Sequence, residues 1–290
     1  MNLLSIFTKY PDQEACIEHL EKVRWNDSPF CPHCGATNVA RKADGERTGR
    51  WNCHGCKSSF NVLAGTIFEK TKIPLQKWFL AIGILVNAKK SVSSFQLARD
   101  LDMNQKSAWY MQQRIRAAMA TAEGVLLQGI VEADETYVGG KPRKGNRRDD
   151  DKPNKRGRGT KKVPVVGAIE RGGRVIARVA EKLTGRSIVH FLRSAVDPKG
   201  TLLITDELNL YKAATQYNRA VINHSVAYAD GETHTNTIEG FWATVKRAWY
   251  GSHHHYTKRY MPLFIAESCW KHNQRRNPDA FSTFVRGCFA

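Results

Sequence analysis

Three acidic residues stand far apart in a chain that is otherwise rich in base: Asp134 in VEADETYVGG, Asp206 in TLLITDELNL and Glu239 in HTNTIEGFWATVKR. Carboxylates that converge from separate elements repel one another. They make physical sense chiefly around cations, and hard oxygen ligands select Mg2+ or Mn2+. Each acid also has a plainer reading. Glu132 shares a strand face with Asp134, Glu135 adjoins it and Glu207 competes with Asp206, so local sequence leaves the choice of ligand open. Asn236 followed three residues later by Glu239 has the form of a capping box, in which Asn236 satisfies a free N–H and Glu239 reaches back. If Glu239 is only a cap, Asn236 can supply an amide oxygen in its place.

Four cysteines announce different chemistry. Cys31, Cys34, Cys53 and Cys56 are spaced C-x2-C-x18-C-x2-C, and each C-x2-C turn can present two thiolates to one tetrahedral Zn2+. Four cysteines close the site and leave no position for a reacting water, so the metal is structural. His33 and His54 inside the knuckles then read as exposed residues. The remaining cysteines are scattered singly, and the apolar N-terminal stretch is too short and wrongly flanked for a signal peptide, which argues against a disulfide framework.

The acids need elements to bring them together. From residue 126 the pattern turns to strands: LLQGIVEADETYVGG, VPVVGAIE and GRVIARVA, the last two joined by a Gly-Gly turn, predict an antiparallel meander. A helix over TGRSIVHFLRSAV, a strand over TLLITD, a helix over LNLYKAATQ, a strand over AVINHS and the Glu239 helix follow. That order matches a ribonuclease H-like architecture. It places Asp134 within the first strand and Asp206 at the C-terminal end of the fourth, where open sheets gather functional groups. In the last helix Ile238, Phe241, Val245 and Trp249 form a core stripe. Glu239, Trp242, Ala243 and Lys246 form a second stripe at its border.

Upstream, Pro74 opens a buried helix, and Ser93 or Ser94 caps a short helix ending near Leu101. After a turn at 102–104, a longer helix over Gln105 to Ala120 carries Arg114 and Arg116. This is the outline of a helix-turn-helix, for which core packing and groove reading are equally good explanations. The chain is therefore expected to be multidomain α+β/α/β: a zinc ribbon over 1–66, a helix-turn-helix-like region over 67–125 and a ribonuclease H-like mixed-sheet catalytic domain over 126–290.

With 45 Lys+Arg against 27 Asp+Glu, the net charge is +18, which favours a polyanionic partner. No apolar run is long enough to span a membrane, so nucleic acid is the better match. Residues 141–162 alone carry eleven Lys+Arg and read as a loop able to track a phosphate backbone.

VEADETYVGGK, TDELNLYK and HTNTIEGFWATVKR, preceded by the paired cysteines and GTIFEKTKIPLQKWF, resemble bacterial insertion-sequence transposases of the DDE class with an N-terminal zinc ribbon, the ISXO-two-like group. The resemblance runs over nearly the whole chain. It implies a metal-dependent enzyme that cuts and joins DNA ends, with Asp134 and Asp206 as metal-binding aspartates and Glu239 or Asn236 as the third residue. Lys246 matches the basic residue that holds DNA near the cut. Lys271 in ESCWKHNQRR stands where arginine is expected. Double-stranded DNA, both element ends and target, is the implied partner. A homo-oligomer on DNA and a cytoplasmic, nucleoid-associated location follow from the same resemblance. A DNA-binding regulator derived from a transposase, and a nuclease without joining activity, are the alternatives.

Overall fold

The computed structural model describes residues 1–42, 49–121, 124–140, 162–222 and 234–289. The basic segment 141–161 lies outside them. The chain forms two compact units, Met1–Ala122 with Arg276–Ala290, and Glu123–Arg275.

In the first unit, α1 (Leu3–Lys9) and α2 (Gln13–Trp25) precede a three-stranded antiparallel sheet of β1 (Val39–Arg41), β2 (Arg50–Cys53) and β3 (Ser59–Asn61). The sheet is too small to bury much, and α2 covers it. Glu21 accepts from Trp51 Nε1 at 2.8 Å and pairs with Arg41, while Trp25 packs edge-on against Trp51 and Phe60. Three further helices follow: α3 (Leu75–Asn87), α4 (Ser94–Asp100) and α5 (Gln105–Ala120). Local chemistry sets their starts. Ser93 Oγ accepts from Gln96 N at 3.1 Å and Asn104 Oδ1 from Ser107 N at 2.8 Å, each satisfying a helix N–H that would otherwise lack a partner.

Of the two readings of α5, core packing and groove reading, its arginines follow the first. Arg116 is fully buried, and Arg114 donates to the carbonyls of Thr66 and Glu69 and to the Tyr110 hydroxyl. The last helix, α9 (Ala280–Gly287), belongs to this unit, whereas the sequence pattern assigned it to the segment running from residue 126. Its apolar face explains the return. Phe281 packs tilted against Tyr10 and edge-on against Phe79, at ring separations of 6.2 and 5.8 Å.

The second unit is built on a five-stranded mixed sheet ordered β6-β5-β4-β7-β8. Its strands are β4 (Ile130–Val138), β5 (Val163–Glu170), β6 (Val175–Val179), β7 (Leu202–Asp206) and β8 (Asn218–Ile222). β4, β5 and β6 form the antiparallel meander, and β7 and β8 run parallel to β4. One face buries Val131, Ala133, Val166 and Ala168 against α6 (Gly185–Ala195) and a 3-10 turn, Asn209–Ala213, where a helix was expected. The other face buries Val165, Ile169 and Val175 against α7 (Asn236–Arg247), a π turn and α8 (Met261–Asn273). Strand alternation thus gives each face its own core. It also directs Glu132 and Asp134 to the α7 side.

Candidate active site

β4 pairs in parallel with β7, Ala133 opposite Thr205, so Asp134 and Asp206 come to neighbouring positions at the end of the ladder. Their carboxylates and that of Glu135 each offer an oxygen within 4.8 Å of the others. All three side chains are half-buried. Burial pushes Asp134 up to about 6, and the charges of Asp206 and Glu239 add to the shift. Hydrogen bonds from the Glu135 backbone and the Trp242 side chain oppose it. Tyr211 lies fully buried beside the cluster. Burial, followed by the charges of Glu135, Asp134 and Asp206, drives its hydroxyl well above 10. Three acids so close, one of them resisting ionisation, fit a divalent cation held by hard oxygen ligands.

The neighbours of Asp134 divide between two jobs. Glu132 is entirely buried, and its Oε2 accepts from the backbone N–H of Thr237 at 2.9 Å and Ile238 at 3.1 Å. Its Oε1 accepts from Thr237 Oγ1 at 2.8 Å and Arg171 Nε at 2.9 Å, with His234 Nδ1 at 3.3 Å. A carboxylate at the positive end of α7 answers both the free N–H groups and the helix dipole. Glu132 is therefore the anchor of α7, which leaves Asp134 and Glu135 for the acidic cluster.

The expected capping box differs in its members. Thr235 occupies the N-cap, Asn236 is the first helical residue, and Glu132 meets the N–H groups that a local cap would satisfy. The Thr235 hydroxyl donates to Glu239 Oε1 at 3.3 Å. The core stripe of Ile238, Phe241, Val245 and Trp249 is buried as expected, and the second stripe splits. Trp242 is buried, whereas Glu239 and Lys246 are exposed, so Glu239 does not border the core. It lies outside the cluster of Asp134, Glu135 and Asp206, although its charge reaches Asp134. Asn236 is exposed beside it and Glu207 is exposed beyond Asp206. In α8, Lys271 Nζ pairs with Glu267 Oε1 at 2.5 Å, both side chains buried.

Trp242 is the residue that sequence patterning placed on a stripe without giving it a task. Its Nε1 donates to Asp134 Oδ2 at 3.0 Å. A glycine was the available signal: Gly167 sits in the middle of an apolar strand, and a Cβ there would meet the indole at 2.6 Å.

The four cysteines form a separate cluster in the first unit. Cys31 and Cys56 Sγ lie 3.7 Å apart and Cys34 and Cys53 Sγ 3.6 Å apart. Ligands at ~2.3 Å from a tetrahedral zinc stand ~3.8 Å from one another, so the thiolates fit that ion. The knuckle N–H groups of His33 and Cys56 point at Cys31 and Cys53 Sγ, each at 3.4 Å, while the rings of His33 and His54 are exposed. No helix among the described residues is long and apolar enough to cross a membrane.

A mixed sheet of this order, with acids at the adjoining ends of its two central strands and a zinc-ribbon module ahead of it, defines a ribonuclease H-like domain of the transposase class. Residues 126–273 match the ISXO2-like transposase domain and residues 11–59 the transposase zinc-ribbon domain. The chain belongs to the ISXO2-like transposase family. An uncharacterized protein in transposable element ISH50 of Halobacterium salinarum is 30% identical over 245 residues, covering 81% of this chain and 82% of its own length. Among solved structures, the Mos1 strand transfer complex shares 13% identity at a TM-score of 0.29, over 75% of this chain and 80% of its own. A pre-cleavage Mos1 transpososome shares 12% at a TM-score of 0.26, over 70% and 76%. The fold assignment stands on the strand order and the family match, not on these distant likenesses.

Proposed function

We propose that the protein cleaves the ends of an insertion element and joins them to target DNA by metal-assisted phosphoryl transfer. The observation that carries this reading is the meeting of Asp134 and Asp206 at adjacent strand ends in a chain of this family. Asp134 and Asp206 would hold Mg2+ or Mn2+, with Glu135 as a third carboxylate and Glu239 or Asn236 joining when DNA is bound. The bound ions would activate a water, and later a 3'-hydroxyl, and stabilise the leaving oxygen. Positioning and charge stabilisation suffice for phosphoryl transfer, so no protein nucleophile is needed.

The cation-binding acids sit in a protein of net charge +18, which draws the polyanion in. Lys246, exposed two turns beyond Glu239, would hold a phosphate near the cut. With Arg114 and Arg116 committed to packing, groove reading by α4 and α5 would fall to exposed Gln96, Arg99, Lys106 and Tyr110. Cys31, Cys34, Cys53 and Cys56 would hold Zn2+ and so fold the ribbon. Two DNA ends held at once call for a homo-oligomer.

The test is strand transfer with labelled duplexes taken from the DNA flanking the gene, in Mg2+ or Mn2+. Joined products that vanish in Asp134→Asn and Asp206→Asn, with DNA binding retained, are expected. Cut but never joined products would make the protein a nuclease, and binding without cutting would make it a regulator.

A further inference from the structure

Asp134 is gripped from the helix side of the sheet. Trp242 is 3% exposed, and its only polar atom, Nε1, is aimed at Asp134 Oδ2 at 3.0 Å. An indole N–H can only donate, so it bonds the carboxylate without competing for a cation. The ring rests on β5. Gly167 is paired opposite Asp134, and a Cβ there would stand 2.6 and 2.8 Å from two carbons of the Trp242 ring. Gly167 is not among the glycines with positive φ, so the backbone does not demand its lack of a side chain. A mid-strand glycine weakens a sheet unless something approaches closely, and here the approaching group is the indole.

The helix that delivers the ring is itself fixed. Glu132 lies two residues before Asp134 on the same strand face and accepts from Thr237 N and Ile238 N at the start of α7. One turn later the same helix returns Trp242 to Asp134. Strand and helix are therefore tied at two points, one at Glu132 and one at the acid itself.

We propose that Trp242, seated on Gly167, is a positioning residue that holds the Asp134 carboxylate in its cation-binding orientation. This rests on the assignment of Asp134 as a metal ligand. Groups that orient a metal's ligands typically govern affinity by about ten- to a hundredfold.

Mn2+ binding is measured on the full-length protein without DNA, by calorimetry and electron paramagnetic resonance. It is compared among wild type, Trp242→Phe and Trp249→Phe. Trp249 is also buried and undergoes the same loss of ring size, but its ring packs edge-on against Tyr256, and the indole bonded to Asp134 is that of Trp242. Trp242→Phe is expected to bind Mn2+ at least about tenfold more weakly, with Trp249→Phe at wild-type affinity. Gly167→Ala keeps the N–H and removes its seat, and should match Trp242→Phe. Equal affinities for the two phenylalanine variants would overturn the proposal.

A spectroscopic measurement on the wild-type protein covers the case in which a variant does not fold. One of the seven indole N–H resonances should move when Mg2+ is added and stay still in Asp206→Asn. Seven resonances indifferent to Mg2+ would again refute the role. If Asp134→Asn binds Mn2+ like wild type, the ligand assignment itself fails. Tight Mn2+ binding without cleavage would remove the transposase activity and leave the positioning role standing.

Discussion

Glu132→Gln changes one oxygen to an amide in a fully buried side chain, and the expected cost is large for so small an edit. Glu132 accepts from four donors: Thr237 N and Ile238 N on Oε2, and Thr237 Oγ1 and Arg171 Nε on Oε1. Turned one way, the glutamine NH2 confronts the two backbone N–H donors; turned the other, it confronts Arg171 Nε while the Thr237 hydroxyl can rotate to accept, and either way the Arg171 guanidinium loses its counter-charge. Hydrogen bonds to a charged group contribute about 1.5–3 kcal/mol each, and breaking a buried ion pair from one side costs about 3–5 kcal/mol. The Arg171 side chain is 20% exposed, so water recovers part of this. A loss of about 3 kcal/mol is the expected net, against total stabilities of about 5–15 kcal/mol. Urea unfolding followed by the fluorescence of the buried tryptophans measures it. Hydrogen exchange at Thr237 and Ile238 localises it, because those two amides should lose protection before the rest of α7. A loss under about 1 kcal/mol, or unchanged exchange at both amides, would falsify the anchoring role.

The remaining expectations concern the two clusters. Burial holds Asp134 at about 6, above its ordinary 3.8, so between about pH 4 and 6 the folded protein keeps a proton that the unfolded chain has lost. That group favours folding below about pH 4, and its contribution is lost as pH rises through 6. Asp134→Asn should therefore raise the unfolding free energy at pH 7.5, by an amount on the order of 2 kcal/mol and with it the midpoint, and change little at pH 4. Mg2+ should stabilise only the wild type, and calorimetry showing a lower midpoint for the variant at pH 7.5 would contradict the argument. In the ribbon, one zinc per chain should be released by a thiol-blocking mercurial. Cys53→Ser should abolish retention of that zinc and the protection of β1 to β3, while the five-stranded sheet keeps its amide protection. Retained stoichiometric zinc in the variant would show that the cluster is not its site.

What was legible in the sequence is what depends on spacing along one element. The paired cysteines, the cap at Ser93, the helix that starts at Gln105 and the buried stripe of Ile238, Phe241, Val245 and Trp249 all follow from local period or local chemistry. The order of strands and helices was enough to bring Asp134 beside Asp206, because β4 and β7 are the two central neighbours. What escaped depends on contacts between distant segments. Glu132 and Glu135 look alike in VEADET, yet one is consumed by a helix more than a hundred residues away and the other faces Asp206. The return of α9 to the first unit and the burial of Arg116 have the same cause: an apolar face or a charge finds its partner only once the chain has folded.

The division of labour among the acids of β4 has a physical logic. A carboxylate surrounded by fixed donors, as Glu132 is, has its charge satisfied by protein and offers little to a cation. One that is half-buried among other acids, as Asp134 is, has only the Trp242 and Glu135 N–H groups against burial and repulsion, so its charge is costly and suited to a cation. Two residues apart, they share a strand face and so a single helix serves both, its free N–H groups taking Glu132 and its Trp242 steadying Asp134. The anchor can be strong because it lies on the protein side of the site. The acids can remain crowded because the anchor carries the helix. Sliding α7 along β4 would take Thr237 and Ile238 away from Glu132 and strip that buried carboxylate of three of its four hydrogen bonds, a cost that holds the register of α7 against β4 and with it the geometry of the acids.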